Sequence, residues 1–302
     1  MDNLLLILAV APSLLILWYF QASDRYPEPP HVIWTTFLLG MLVGLPVGEV
    51  EKAFLRLAGG MPAVWARGSF EAFFAAAFPE ELAKFLVLTL YCARRSEFDE
   101  PMDGLVYGSA VALGFACFEN VRHVLGQYGG LETALVRAVT AVPSHGADGA
   151  IMGYFLSLSR HAPRRRSEFL LLSLAVPSVF HGLYDMLVLV GDDLPRGDPA
   201  VATLWIAWLC LIGLQLWLAR LLLREHVRRQ EAGMQGGEIL SYVRLKRRNR
   251  LRAGWAIVAC GAGLIGLATL GPWFVGPLRG LRASGVVVGA IVVWTGSRRL
   301  RD

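Results

Sequence analysis

The sequence is poor in the features that mark the commoner hydrolases. It holds four cysteines in 302 residues, and none forms a C-x-x-C pair or a zinc-ribbon spacing. Cys92, Cys117, Cys210 and Cys260 fall in or at the ends of apolar runs, where they read as small buried hydrophobes. A disulfide framework is not expected. There is no H-E-x-x-H stretch, no G-x-S-x-G turn and no pair of catalytic aspartates. Serine and aspartyl chemistries are therefore disfavoured, and a zinc site would need its ligands from separate segments. Internal repeats and low-complexity stretches are missing too, so an inverted-repeat transporter gains no direct support. Nothing shows the ~10-residue alternation of a membrane β-barrel.

What is present is apolar length. Hydrophobic residues make up 55% of the chain and its mean hydropathy is +0.49. They gather in runs of about 20 residues, enough to cross a bilayer as helix. Backbone groups in lipid must be satisfied within their own segment, so the expected fold is all-α: a polytopic transmembrane helical bundle of about nine spans. The candidate spans are roughly 3–21, 32–50, 69–92, 101–125, 133–159, 168–191, 200–223, 252–271 and 283–297. The first run follows an acidic n-region and ends in Trp18-Tyr19-Phe20 rather than in small residues, so it reads as an uncleaved span. With the N-terminus outside, inner segments carry 20 Lys/Arg and outer ones 8, with Lys84 inside a span. That bias predicts an integral membrane protein with its C-terminus in the cytoplasm. The basic stretch 224–252 lacks any zinc-finger or RNP pattern and reads as a loop resting on anionic lipid, not as a nucleic-acid site. No small-molecule cofactor is implied.

Against this background the ionisable residues inside the spans stand out, because charge at bilayer depth is costly and is generally retained for function. Glu80, Glu81 and Lys84 lie in the third span, Glu119 and Asn120 in the fourth, His145 and Asp148 in the fifth, His181 and Asp185 in the sixth. At about 1.5 Å per residue, Glu80, His145 and His181 all fall near the midplane, with Glu119 and Asp185 towards the outer half. Glu80 and Lys84 share a helix face at i,i+4, while Glu81 points about 100° away but stays i,i+3 to Lys84. One glutamate can thus pair with the lysine while the other faces a cavity. Pro79 frees backbone groups beside them. His145–Asp148 and His181–Asp185 are each a histidine with an acid one turn on, which fixes a tautomer for base or ligand use. Gly104, Gly108, Ala112 and Ala116 form a ribbon that admits a close neighbour, as do Gly149 and Gly153 beside His145.

Three ordered motifs carry a family resemblance. The segment PEELAKF, with Glu80, Glu81 and Lys84, resembles the E-E-x-x-K motif of the PrsW family of intramembrane proteases. Phe115, Glu119 and Asn120 resemble its F-x-x-x-E-N motif, and His181 and Asp185 its H-x-x-x-D motif. The stretches YPEPP and DEPMDGLVYGSAVALGF, the latter with Asp103, are also similar to the family. The likeness covers about residues 18–190 and extends to the wider group of CAAX prenyl endopeptidases and bacteriocin-immunity relatives. It implies a protease core over 1–199 and a C-terminal membrane extension over 200–302. It also implies cleavage of a membrane-anchored protein, an anti-sigma factor in known members, near the outer face.

The expected reaction is therefore peptide-bond hydrolysis inside the membrane. Glu80 or Glu81 would act as general base, helped by His181, and Asn120 or His145 would donate to the oxyanion. Glu119 belongs to the catalytic group, with Lys84, Asp185, Asp148 and Asp103 in support. The residues leave two chemistries open: a metal-free glutamate site, or a zinc site with candidate ligands His145, His181 and Glu119. Rival classes for the same polar groups are a proton-coupled transporter and a non-catalytic membrane scaffold.

Overall fold

The structure, a computed structural model, describes residues 2–126, 129–161, 163–195 and 198–235. All the described regular structure is helical. Helix α1 spans Asp2–Ser23 and α2 Pro30–Ala58. Helix α3 (Val64–Phe70) runs on through a π-helical segment, Glu71–Ala77, into α4 (Phe78–Leu90). Then follow α5 (Pro101–Val124), α6 (Leu131–Val139), α7 (Ala141–His161), α8 (Arg166–Asp193) and α9 (Pro199–Gln235). Five helices are long and apolar enough to cross a membrane: α1, α2, α5, α8 and α9. The expected spans 252–271 and 283–297 lie outside the described residues.

Two expected spans are not single α-helices. The third is continuous but changes its winding, because Pro79 lacks an N–H and its ring crowds the carbonyl four residues back. The chain answers by widening the preceding turns, and the Phe78 N–H reaches back five residues to the Phe73 carbonyl. The fifth breaks at Thr140, whose backbone leaves the helical region and whose hydroxyl caps the Val136 carbonyl at 2.7 Å. Arg137 is thereby carried on a separate short helix set against the body of α7. The seventh is much longer than its apolar core, because Glu225–Arg229 and Arg25–Glu231 pairs let α9 continue beyond the apolar layer.

Helix α5 is the axis of the bundle, with most of its length buried between α1, α2 and α7. Its ribbon of small residues lies on the matching ribbon of α7. A Cβ added at Gly108 would sit 2.0 Å from the Gly149 carbonyl oxygen, and one at Gly153 would sit 1.7 Å from that of Gly104. The backbones therefore touch, and larger side chains would force them apart. At one end of the bundle, Gln230 of α9 donates to Asp24 and Glu100, tying α9 to the α1–α2 and α4–α5 connections. Asp103 sits at this same end. Its carboxylate accepts from the Asp99 and Glu100 amides (2.7 and 2.8 Å) and closes a capping box with Glu100.

The close α5–α7 contact gives a direct test. Gly153→Ala should destabilise the bundle by about 1–3 kcal/mol, the usual range for overpacking. Gly213→Ala, where an added Cβ meets nothing within 4 Å, should change stability little. Thermal melts of the two variants in the same detergent make the comparison.

Candidate active site

The polar residues of four helices meet inside the bundle. At the start of α4, Glu80 and Glu81 are buried, and Lys84 one turn on is fully enclosed. The Lys84 Nζ donates to Glu81 Oε1 at 2.7 Å and to Glu80 Oε2 at 3.3 Å, and lies 3.2 Å from His145 Nδ1. It also stands over the Phe115 ring, 4.2 Å from its centroid. Three donors thus meet three acceptors, so the ammonium is fully engaged. One lysine serves both glutamates because i,i+3 and i,i+4 positions converge on the same side of a helix.

His181 of α8 reaches this group because the π-helical segment presses against α8. A Cβ at Gly182 would lie 2.3 Å from Phe73, so only glycine permits that approach. The His181 Nδ1 is 2.8 Å from Glu81 Oε1, while its Nε2 lies 3.3 Å from Asp185 Oδ2 and 3.8 Å from Glu80 Oε2. His145 meets His181 edge to face, with ring centres 4.9 Å apart. Its Nε2 lies 2.9 Å from Glu119 Oε2. Glu119 in turn is 3.2 Å from His123 and 3.0 Å from the Arg137 Nη2.

A narrow cavity opens between α6, α7 and α8, walled by Glu119, Arg137, His145, Asp148, His181 and Asp185. About 20 Å³ of it admits the centre of a water-sized sphere, enough for one water among several polar partners. Tyr184 closes one side, its hydroxyl 3.2 Å from the Thr140 hydroxyl.

Of the residues expected from sequence, Glu80, Glu81, Lys84, Glu119, His145, Asp148, His181 and Asp185 come together. Asn120 stands behind them: its amide donates to the Ala9 carbonyl at 2.8 Å and its oxygen accepts from Arg137 Nε at 2.9 Å. Asp103 caps α5 at the far end of that helix. Three neighbours were not expected. Arg137 lies in the first turns of the expected span 133–159, and the break at Thr140 that carries it to the cavity is not visible in the apolar run. Tyr184 was hidden as one more aromatic residue. Gln215 of α9, fully buried, donates to both Asp148 oxygens at 3.0 Å and accepts from Ser144. It is the only amide in the apolar run 201–219, and that isolation was the available signal.

The donor set suits a divalent cation. One atom each from Glu80, His145 and His181 lie within 4.8 Å of one another. The 3.8 Å between Glu80 Oε2 and His181 Nε2 is too long for a hydrogen bond and close to the ~3.4 Å edge of a tetrahedron with ~2.1 Å bonds. Glu81 holds the other nitrogen of His181, as carboxylates do behind metal-bound histidines. The acid completing this trio is Glu80 and not Glu119, whose carboxylate is shared by Arg137, His123 and His145. Among the described residues, five carboxyl groups here face only Lys84 and Arg137 as permanent cations, an imbalance that a dication would reduce.

The signature of the PrsW family intramembrane metalloproteases matches residues 28–214. The chain belongs to this family. Among its relatives, Protease PrsW of Geobacillus kaustophilus is 34% identical over 213 residues, which are 70% of this chain and 87% of the relative. That of Bacillus subtilis is 36% identical over 183 residues, 59% and 80% of the two chains. The Clostridioides difficile protein is 27% identical over 192 residues, 62% and 79% of the two. No solved structure matches. The PrsW match takes in every residue of the cavity and stops one residue short of Gln215.

The enclosed lysine predicts a large stability effect. Lys84→Met should cost about 3–5 kcal/mol, because it leaves two buried carboxylates without their cation. Lys52→Met, which breaks the exposed pair with Glu49, should cost under about 1 kcal/mol. Unfolding in mixed micelles with increasing dodecyl sulfate compares them.

Proposed function

We propose that this chain is an intramembrane endopeptidase that hydrolyses a peptide bond in or near the transmembrane segment of a membrane-anchored protein, with Glu81 as proton acceptor. One observation carries the assignment of the base. Glu81 Oε1 is held by Lys84 and His181, whereas Oε2 is buried with no hydrogen-bond partner among the described residues. An unsatisfied buried carboxylate oxygen is costly, and it is retained where a reaction uses it. The water's proton goes to this atom. His181 is held by Glu81 at Nδ1, which leaves its Nε2 turned toward Glu80, Asp185 and the cavity. Glu119 holds His145 in the same way through Nε2. Gln215 fixes the Asp148 carboxylate, and the bundle walls exclude further water.

A resident divalent cation, zinc by its histidine and carboxylate donors, would be held by Glu80, His181 and the His145 Nδ1, which would then be given up by Lys84, and when bound would supply a polarised water. The family description as metalloproteases and the charge imbalance of the site support this over the metal-free alternative. Orientation follows from the Lys/Arg bias: N-terminus outside, with the cavity in the outer half of the membrane. The substrate class is a single-span protein cut towards that side, an anti-sigma factor being the form the resemblance suggests. The transporter and scaffold readings gain no comparable support.

Co-expression with candidate single-span proteins provides the test. Wild type should release a specific fragment, and Glu81→Gln should reduce its rate at least ~10²-fold, the lower range for general-base loss. Undiminished cleavage by Glu81→Gln rejects the assigned base, and absence of any fragment with wild type counts against proteolysis. Metal analysis is separate. Purified wild type should hold about one equivalent of zinc, and His181→Ala should hold much less. Metal-free wild type with intact cleavage would restore the glutamate-only chemistry.

A further inference from the structure

Hydrolysis needs a hydrogen-bond donor or a cation at the oxygen of the scissile carbonyl, and neither residue expected from sequence is placed to supply it. The Asn120 amide N–H is committed to the Ala9 carbonyl. The Nε2 of His145 is engaged with Glu119 and its Nδ1 faces Lys84. Lys84 is fully enclosed and occupied by Glu80, Glu81 and His145. Among the described residues one permanent cation remains at the cavity wall, Arg137 of α6.

We propose that Arg137 is a catalytic residue whose guanidinium binds the carbonyl oxygen of the scissile peptide as it becomes an oxyanion. The inference rests on the proteolytic reading. Three observations carry it. The side chain lines the cavity shared by Glu119, His145 and His181, and is 18% exposed. Its plane is fixed from behind, since Nε donates to Asn120 Oδ1 at 2.9 Å and Asn120 is itself anchored on α1 through Ala9. Its Nη2 is buried and lies 3.0 Å from Glu119 Oε2, so Nε and Nη2 together fix one edge of the guanidinium and the other edge is left for the cavity. A guanidinium carries five N–H donors, so this one is oriented and still has donors to give. The α5 motif acquires a second purpose: Asn120 is a positioning residue for Arg137.

The step balances without a further reactant. The water oxygen bonds to the carbonyl carbon and the C=O π pair moves onto oxygen beside Arg137. The water's proton passes to Glu81. Collapse re-forms the C=O, breaks the C–N bond and delivers that proton to the leaving amine nitrogen.

The test uses the full chain in lipid nanodiscs with two readouts. The first is binding of a phosphinic dipeptide, whose tetrahedral PO2⁻ group copies the oxyanion, followed by phosphorus NMR. Wild type should bind it, Arg137→Gln at least tenfold more weakly, and Arg137→Lys in between. The second is cleavage of a co-expressed single-span protein. Arg137→Gln should lower kcat by about 10²–10³ with KM little changed, the loss seen for one oxyanion donor elsewhere. Arg137→Lys should recover part of it. Melting temperatures decide whether a loss reflects misfolding, and if Arg137→Gln does not fold, Arg137→Lys carries the comparison. Wild-type binding or turnover in Arg137→Gln overturns the proposal, as does failure of wild type to bind the phosphinate. If Glu81→Gln is dead while Arg137→Gln is unimpaired, Arg137 alone is rejected. If Glu81→Gln also cleaves, the assigned base falls with it.

Discussion

A carboxylate taken out of water must find a countercharge within a few ångströms or give up its charge. The interior of this bundle is arranged around that constraint. Glu80 and Glu81 are adjacent in sequence and both buried, so a lysine one turn away is the shortest route to neutrality, and Lys84 takes it. The pair still leaves Glu81 with one oxygen unanswered, and His181 and His145 are drawn in as further partners. Each added helix brings its own acid, Asp185 or Asp148, so the cluster grows by compensation. An imbalance of charge still persists at its centre.

Such a cluster can form only if the helices come close enough, and backbone packing arranges this. Glycine pairs let α5 and α7 touch, which brings Glu119 beside His145. Gly182 lets the π-helical segment press on α8, which brings Glu81 beside His181. The π-segment has a second effect, because it absorbs Pro79 without ending the helix. Side-chain chemistry and backbone geometry are therefore one design, and a methyl group added at the glycines would act on the site from outside it.

These relations differ in how well a sequence displays them. Depth along a helix is a linear count, so the meeting of Glu80, His145 and His181 is legible from residue numbers once spans are drawn. The small-residue ribbons of α5 and α7 are legible for the same reason. Breaks in helices are less so. Pro79 signals a disturbance, but its resolution as a widened turn depends on what α8 offers opposite it. Thr140 gives no signal at all, since Thr is common inside apolar helices, and the separation of α6 that places Arg137 at the cavity is not visible in the sequence. Gln215 is inconspicuous because it has no charge and its partner lies 67 residues earlier. The span count rested on hydropathy alone, which five described helices satisfy outright. The α3–α4 stretch and α7 take their places by packing, because their polar positions are what the interior uses.

The two permanent cations divide the work according to where each lies. Lys84 has four neighbours and no exposure, so its charge is committed to holding Glu80, Glu81 and His145 in one place. A compact ammonium suits that task, because its three donors point to separate acceptors. Arg137 stands at the wall with a planar fork that can keep one edge on Asn120 and Glu119 and present another to the cavity. Exchanging the two residue types would cost function at both positions. A guanidinium at position 84 is too broad for the space between two adjacent carboxylates and an imidazole. An ammonium at 137 loses the fixed plane that Asn120 provides. The site therefore depends on the enclosed lysine for its integrity and on the partly exposed arginine for its access to substrate.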